Sequence, residues 1–474
     1  MDRSINFFTK KGLTIKDAMR VIDSNGMGIT FVTDENNIFQ GTVSDGDIRK
    51  ALTYGKSVEL KIEEIMNSKP IIAKEGDSLN LIREIVSQNK SRFSTAYSLK
   101  IPILNQRGEV VNVAITSIGS EQIYFLNEIS NIFNKKINKV LIIGGSGYIG
   151  SVLSKKLLQL GYKVRILDNH IFGKEPVSEL LNNPCFELID GDMRDIRMIT
   201  SSLEEVDAVI LLAGIVGDPA SSKNPKETIE TNYFATMTIA QACKYYQINR
   251  FIFASTCSVY GSNSNVVTED DQLNPLSLYA RSKIDSEKVI LSLKDENFSP
   301  SILRMATIYG VSPRMRFDLV INTFAMRAAT EGKITIFGGD QWRPFIHVED
   351  AAEAYIKCLE APIDEVSGEI FNIGAHNISI SELGELTKQV FPEMKIEKTE
   401  KEVIKGALDS RNYKVSFAKM NQKLKYVPHH DIVGAIRDIK QMIESQQIKN
   451  TDEKKYYNVE MANSLENNLI KGVD

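Results

Sequence analysis

The chain has 474 residues, more than one hydrophobic core usually organises, so two or three domains are expected. Apolar residues make up 42% of it and charged residues 25%, while 57 Lys and Arg nearly balance 61 Asp and Glu. That balance excludes the basic field of a nucleic-acid binder, so any anionic ligand must be held by local groups.

The N-terminus, MDRSINFFTKKG, lacks the long apolar run of a signal peptide. From Thr14 to Asn25 the spacing is helical, with Ile15, Ala18, Met19 and Ile22 on one face. Gly28 to Thr33 reads as a strand, Asp34 to Asn37 as a turn and Ile38 to Val43 as a second strand. A helix around Leu79 to Ser87, a strand at Ile101 to Leu104, a turn at Asn105 to Gly108 and a strand at Val110 to Ile115 follow. A unit of about 50–60 residues used twice suggests an internal repeat.

The segment Gly41-Thr-Val-Ser44-Asp-Gly-Asp47-Ile-Arg-Lys resembles the cystathionine-β-synthase-type (CBS) module. Such modules come in tandem and commonly bind adenine nucleotides, and by this resemblance Ser44 and Asp47 hold phosphate and ribose. The second copy departs at its binding motif, where Asn112 replaces a glycine, so at most one nucleotide site is expected. Assembly or docking alone is the competing expectation for the pair. Residues 119–137 have the spacing of an amphipathic linker helix, with Ile123, Leu126, Ile129 and Phe133 near one face.

From Lys139 the pattern changes to strands alternating with longer helices, which argues a doubly wound parallel sheet. The strand Lys139 to Ile143 runs into Gly144-Gly-Ser-Gly147-Tyr148-Ile149-Gly150 and then a helical run. Glycines at 144, 147 and 150 allow a tight turn, close approach to a pyrophosphate, and packing of helix on strand. A second strand ends about 20 residues on in Asp168-Asn169, where a carboxylate can accept the ribose hydroxyls of an adenosine. No arginine follows directly, which favours NAD over NADP. Asp192-Met193 ends the next strand, and Leu212-Ala213-Gly214 follows the fourth, suited to passing beneath the cofactor.

The strand Arg250 to Thr256 delivers hydroxyls at its carboxyl end. Tyr279 and Lys283 stand one helical turn apart on the same face. An ammonium beside a phenol favours the phenolate, so Tyr279 is the expected general base, with Lys283 lowering its pKa. Lys283 could also hold the nicotinamide ribose, and Thr256 could share a hydrogen bond with the reacting oxygen.

Together, Gly144-x-x-Gly147-x-x-Gly150, Asp168, Asp192, Thr256 with Val259-Tyr-Gly261, and Tyr279-x-x-x-Lys283 resemble the extended short-chain dehydrogenase/reductases. Within them the chain is similar to the NAD-dependent epimerase/dehydratase group acting on nucleotide sugars. The resemblance implies a Thr256–Tyr279–Lys283 triad, bound NAD, and Asn232 in the cofactor site. It also implies a nucleotide-sugar site with Thr307, Asn322, Phe337, Arg343 and Arg411, the two arginines clamping phosphates. Cys257-Ser258 stand where the family's dehydratases carry an acidic pair, which argues against dehydration.

The implied architecture is α/β. A Rossmann-type doubly wound sheet over 138–445, with a smaller C-terminal substrate subdomain mainly from 310 onward, follows an α+β tandem CBS module over 1–122. A linker helix at 123–137 joins them, and a polar tail at 446–474 ends the chain. The implied activity is epimerisation at C4 of a UDP- or related hexose, through a 4-keto intermediate. A keto-sugar reductase using the same triad, and a catalytically silent nucleotide-responsive binding protein, are the competing readings. Four scattered cysteines without metal-ligand spacing, and no stretch of ~20 apolar residues, point to a reduced cytoplasmic protein without metal or membrane contact. A homodimer is the family expectation.

Overall fold

The computed structural model describes residues 7–88, 98–117, 123–125, 137–295, 297–399 and 411–460, and the chain divides into two units, Met1–Lys135 and Lys136–Asp474.

In the first unit, β1 (Phe8–Lys10), β2 (Ile29–Thr33) and β3 (Phe39–Ser44) form one sheet. The strands β4 (Ala73–Lys74), β5 (Ser98–Leu104), β6 (Val110–Ser117) and β7 (Ile123–Phe125) form another. Helices Ile15–Asn25, Asp45–Thr53 and Leu79–Gln88 pack on them, giving an α+β unit. The two hairpins turn alike. Asp34 Oδ1 accepts from the N–H groups of Asn36 and Ile38, and Asn105 Oδ1 from those of Arg107 and Glu109. Each turn closes on a left-handed residue, Asn37 at φ 64° and Gly108 at φ 82°. The copies therefore stand 71 positions apart (34 to 105), a longer spacing than sequence periodicity suggests.

That offset sets Asn112 against Gly41. A Cβ on Gly41 would lie 2.5 Å from the Asn67 carbonyl oxygen, so the first copy requires glycine there. Asn112 instead bonds the Val113 N–H with its own side chain.

The expected linker helix is not formed where it can be seen. Ile123-Tyr-Phe125 pairs antiparallel with β6, because three β-favouring residues meet an open sheet edge. Residues 119–122 and 126–136 of that expectation lie outside the described residues.

The second unit is built on seven strands, all parallel, in the order β10-β9-β8-β11-β12-β14-β18. They are β8 (Lys139–Ile143), β9 (Lys163–Asp168), β10 (Phe186–Asp190), β11 (Ala208–Leu211), β12 (Arg250–Thr256), β14 (Ser299–Met305) and β18 (Ile370–Ile373). Strands β8, β11, β12 and β14 are buried from end to end, as a sheet covered on both faces demands. Strand order reverses between β8 and β11, and in open α/β sheets ligands bind in the crevice at that switch point.

The remaining strands of this unit form smaller sheets. β15 (Thr307–Tyr309), β17 (Trp342–His347) and β19 (His376–Ser379) make one. The pairs β13 (Val266–Val267) with β21 (Lys414–Val415), and β16 (Lys333–Phe337) with β20 (Lys395–Thr399), make the others. Among the described residues no helix is long and apolar enough to cross a membrane.

Candidate active site

A cavity of about 780 Å³ lies at the carboxyl ends of the central strands. Its floor is the glycine turn after β8. Gly144 has φ +87°, and a Cβ there would meet the Ala213 nitrogen at 2.6 Å; a Cβ on Gly150 would meet the Gly144 carbonyl oxygen at 2.5 Å. A side chain at Gly144 would push away the loop after β11, and one at Gly150 would push the helix Tyr148–Gln159 off the turn. Gly147 caps that helix in extended conformation and offers no side-chain cap, so its first N–H groups remain for a phosphate.

Asp168 ends β9 with both oxygens oriented, one accepting from the Ser146 N–H at 2.9 Å and the other from the His170 N–H at 2.8 Å. Asn169, Met193, Leu212, Ala213 and Gly214 also line the cavity, as does Ile149. Asp192 is held in a fork by Arg194, at 3.0 Å from Nε and 2.6 Å from the terminal nitrogen. Burial opposes its ionisation, but Arg194 and the Asn169 side chain outweigh burial and keep its pKa low. This turn, helix end and carboxylate fit a dinucleotide: glycines keep its cradle open, and Asp168 faces the ribose position.

Thr256, Tyr279 and Lys283 converge on the same cavity. Tyr279 lies in the first turn of the helix Leu278–Ser292, which Ser277 caps by accepting the Ala280 N–H. Burial pushes the Tyr279 phenol up to about 12, while the neighbouring Thr256 side chain works the other way. The charge of Asp218 also raises it, and Arg316 and Arg411 lower it.

Lys283 stands one turn further along the same helix. Its ammonium donates to the Ala254 carbonyl at 2.8 Å and lies 4.6 Å over the Phe253 ring. It is turned to the backbone of β12, one helical turn from the phenol, and burial pulls its own pKa down to about 8.

Of the expected substrate residues, Thr307, Phe337, Arg343 and Arg411 line the cavity. Arg411 pairs with Asp218 at 3.2 Å, and Asp218 also accepts from Ser277 Oγ at 2.6 Å. Arg343 donates to the Trp342 carbonyl at 2.8 Å and stands 5.8 Å from the Tyr413 ring. Cys257 is buried with its Sγ toward the Arg304 carbonyl, and Ser258 faces the cavity beside Thr256.

A profile of the NAD dependent epimerase/dehydratase family matches residues 140–374, and a CBS domain profile matches residues 6–54. An uncharacterised UDP-glucose epimerase of Bacillus subtilis strain 168 is 34% identical over 247 residues, half of this chain and 76% of that protein. The chain belongs to the NAD dependent epimerase/dehydratase family.

A UDP-N-acetyl-alpha-D-glucosaminuronate decarboxylase of Bacillus cytotoxicus is also 34% identical, over 50% of this chain and 75% of the relative. The UDP-glucuronic acid 4-epimerase of Bacillus cereus, solved with UDP-glucuronic acid and NAD, is 27% identical with a TM-score of 0.58, covering 65% of this chain and 99% of the other. NAD is the cofactor of this family, and the cradle just described fits a dinucleotide.

Three expected residues stand behind the cavity wall or act through another group. Asn232 is buried in the π-helical turn Glu230–Ala235, accepting from the Ile215 N–H at 2.8 Å and donating to the Ile215 carbonyl at 2.9 Å. It braces the loop after β11. Asn322 is buried in helix Val320–Glu331, where it accepts from the Gly310 N–H and donates to Tyr148 Oη, each within 3.0 Å. Tyr148 lines the cavity, but its hydroxyl is spent on the Gly310 carbonyl, and burial raises its pKa.

Sequence reasoning missed Asp218, Arg314, Arg316 and Asp318, all on the wall. Two arginines in Arg314-Met-Arg316, shortly after Gly310, were a usable signal. Asn458, which also reaches the wall, sits in a polar run that offered none.

In the N-terminal unit, Ser44 and Asp47 bond one another, through one oxygen of the Asp47 carboxylate. Ser44 caps helix Asp45–Thr53 and accepts from the Asp47 N–H at 3.2 Å, while Asp47 Oδ2 accepts from the Ser44 N–H at 2.9 Å and its hydroxyl at 2.6 Å. Thr14 and Asp17 make the same capping box on helix Ile15–Asn25.

Proposed function

We propose that this protein interconverts UDP-hexoses by inversion at C4. The observation that carries the reading is the convergence of Thr256, Tyr279 and Lys283 on one cavity wall, with Cys257-Ser258 and no carboxylate directly after Thr256. Tyr279 takes the proton of the C4 hydroxyl and returns it, with Thr256 sharing a hydrogen bond to the same oxygen. NAD, held by the glycine turn and Asp168, would supply reversible hydride transfer at C4. Lys283, one donor fixed on Ala254, has two left for the nicotinamide ribose.

Arg343 and Arg411 supply guanidinium forks for the sugar diphosphate, Arg411 by exchanging its Asp218 partner for phosphate. Cys257 and Ser258 offer no acid for loss of water, which separates this reading from dehydration. The named relatives include UDP-glucose epimerases, a UDP-glucuronic acid 4-epimerase and a uronate decarboxylase, and oxidation at C4 opens all three reactions.

The test is to incubate the purified full chain with UDP-glucose, UDP-glucuronic acid and their N-acetylated counterparts, without added cofactor, and follow products by NMR. A C4 epimer of at least one substrate is expected. Consumption of external NADH by a keto sugar, with no interconversion, would replace epimerase by reductase. We also propose that the CBS pair takes one adenine nucleotide and modulates this activity; Asp47, at the motif's acidic position, supports it.

A further inference from the structure

Two arginines enter the cavity from the loop after β15, and they differ in their counter-charge. Arg316 is neutralised by a fork with Asp318, both distances 2.9 Å. Arg314 is 4% exposed, and no carboxylate of the described residues lies at ion-pair distance from it. Its one hydrogen-bond acceptor is a neutral amide, Asn458 Oδ1 at 2.7 Å, and its Nε has no hydrogen-bond partner among the described residues.

A buried guanidinium stays charged and needs an anion. Burial first, then the neighbouring Arg316 charge, pulls Arg314 down to about 9, the mark of a cation short of counter-charge.

The surroundings say which anion. The Arg314 guanidinium lies 3.8 Å over the Phe172 ring, in the cavity-lining segment that follows Asp168. Two residues earlier, Ser312 Oγ donates to the Tyr148 carbonyl at 2.7 Å and meets Ser151 Oγ at 3.2 Å, which pins the loop to the first turn of the glycine-capped helix. Both anchors belong to the dinucleotide half of the cavity, not to the side of Arg343 and Arg411.

The partner of Arg314 comes from far along the chain. Beyond residue 374, where the family match ends, the segment at 454–459 returns to this loop. The Phe317 N–H donates to the Tyr456 carbonyl at 3.0 Å, the two rings meet edge-on at 5.4 Å, and the Asn458 N–H donates to Asp318 Oδ2 at 3.1 Å. Asn458 and Val459 then form part of the wall.

We infer that Arg314 grips the diphosphate of the bound dinucleotide, and that Asn458 is the positioning residue that holds it there without spending its charge. The C-terminal segment is thus a clasp on the cofactor. A neutral acceptor orients the guanidinium and leaves the phosphate to complete it; a carboxylate there would take the phosphate's place. The inference depends on NAD occupying the cavity and not on which sugar reacts.

Full-length wild type, Asn458→Asp, Asn458→Ala and Arg314→Gln, stripped of nucleotide, are titrated by calorimetry with NAD and separately with UDP. Asn458→Asp and Arg314→Gln should each weaken NAD by about tenfold or more, the worth of a charge-assisted bond. Asn458→Ala should fall between these and wild type, and UDP should stay within about twofold throughout. Circular dichroism and melting of the stripped proteins separate loss of grip from loss of fold; should Arg314→Gln not fold, Asn458→Asp carries the test. Unchanged NAD affinity in folded variants overturns the inference. Loss of UDP affinity with NAD retained would move Arg314 to the sugar-nucleotide diphosphate and overturn it equally. A wild type that binds UDP but no NAD would strike the cofactor itself.

Discussion

Tyr279 and Lys283 carry opposite burdens from the same burial, and stability should report both. The Lys283 ammonium falls from an ordinary 10.5 to about 8, while the Tyr279 phenol rises from 10.0 to about 12. Between pH 8 and 10.5 the unfolded chain holds a proton that folded Lys283 has released, so stability rises with pH in that window. Between 10 and 12 the folded phenol keeps a proton that the unfolded chain has lost, and stability falls. Lys283→Met removes the first effect, so its melting temperature should lack the rise above pH 8, a difference of about 3 kcal/mol in full. Equal slopes for variant and wild type would show that the ammonium is not desolvated. Tyr279→Phe should keep NAD bound and lose about 10²- to 10⁴-fold in kcat, read by the NMR assay.

The helix Leu278–Ser292 turns three ionisable side chains inward in succession: Tyr279, Lys283 and Glu287. Glu287 forms a buried fork with Arg304 of β14, at 2.7 and 3.1 Å, and accepts the Ser255 hydroxyl beside Thr256. Arg304 also donates to Tyr260 Oη at 2.9 Å, so this pair locks helix, β12 and β14 together under the triad. Glu287→Ala should cost about 3–5 kcal/mol by stranding the arginine, and the double change to Leu at 287 and Met at 304 should cost less than that single one. Urea unfolding of the two variants checks this; a double variant that loses as much as Glu287→Ala would rule out the coupling. Tyr279 and Lys283 were legible in the sequence because a period of 3.6 places them on one face. Arg304 and Glu287 were not linked, since no local spacing joins a helix to a strand 17 residues on. Asn232 and Asn322 were legible as polar residues in the right neighbourhood, yet the hydrogen bonds that turn them to Ile215 and Tyr148 are tertiary. Ile123 to Phe125 misled for the converse reason: an apolar triplet fits either period, and the open edge of β6 decided it.

Across the whole chain, the change of pattern at Lys139 was readable because strands there become continuous apolar runs, and the parallel order followed from alternation with helices. The CBS repeat was readable only as a rhythm; the paired Asx turns at Asp34 and Asn105 give it a register. That register predicts a single nucleotide site. Counting 71 positions on from Ser44 reaches Ile115, which has no hydroxyl for a phosphate, so the full chain titrated with AMP, ADP and ATP should bind one equivalent of one of them. Asp47 needs a control, because Asp47→Ala also breaks a capping box worth about 1 kcal/mol. Asp17→Ala breaks the twin box on the preceding helix and leaves Asp47 in place. If Asp47 serves a ribose, Asp47→Ala abolishes binding while Asp17→Ala retains it, with similar losses of melting temperature in both. Equal binding in the two variants would leave Asp47 a helix cap and nothing more.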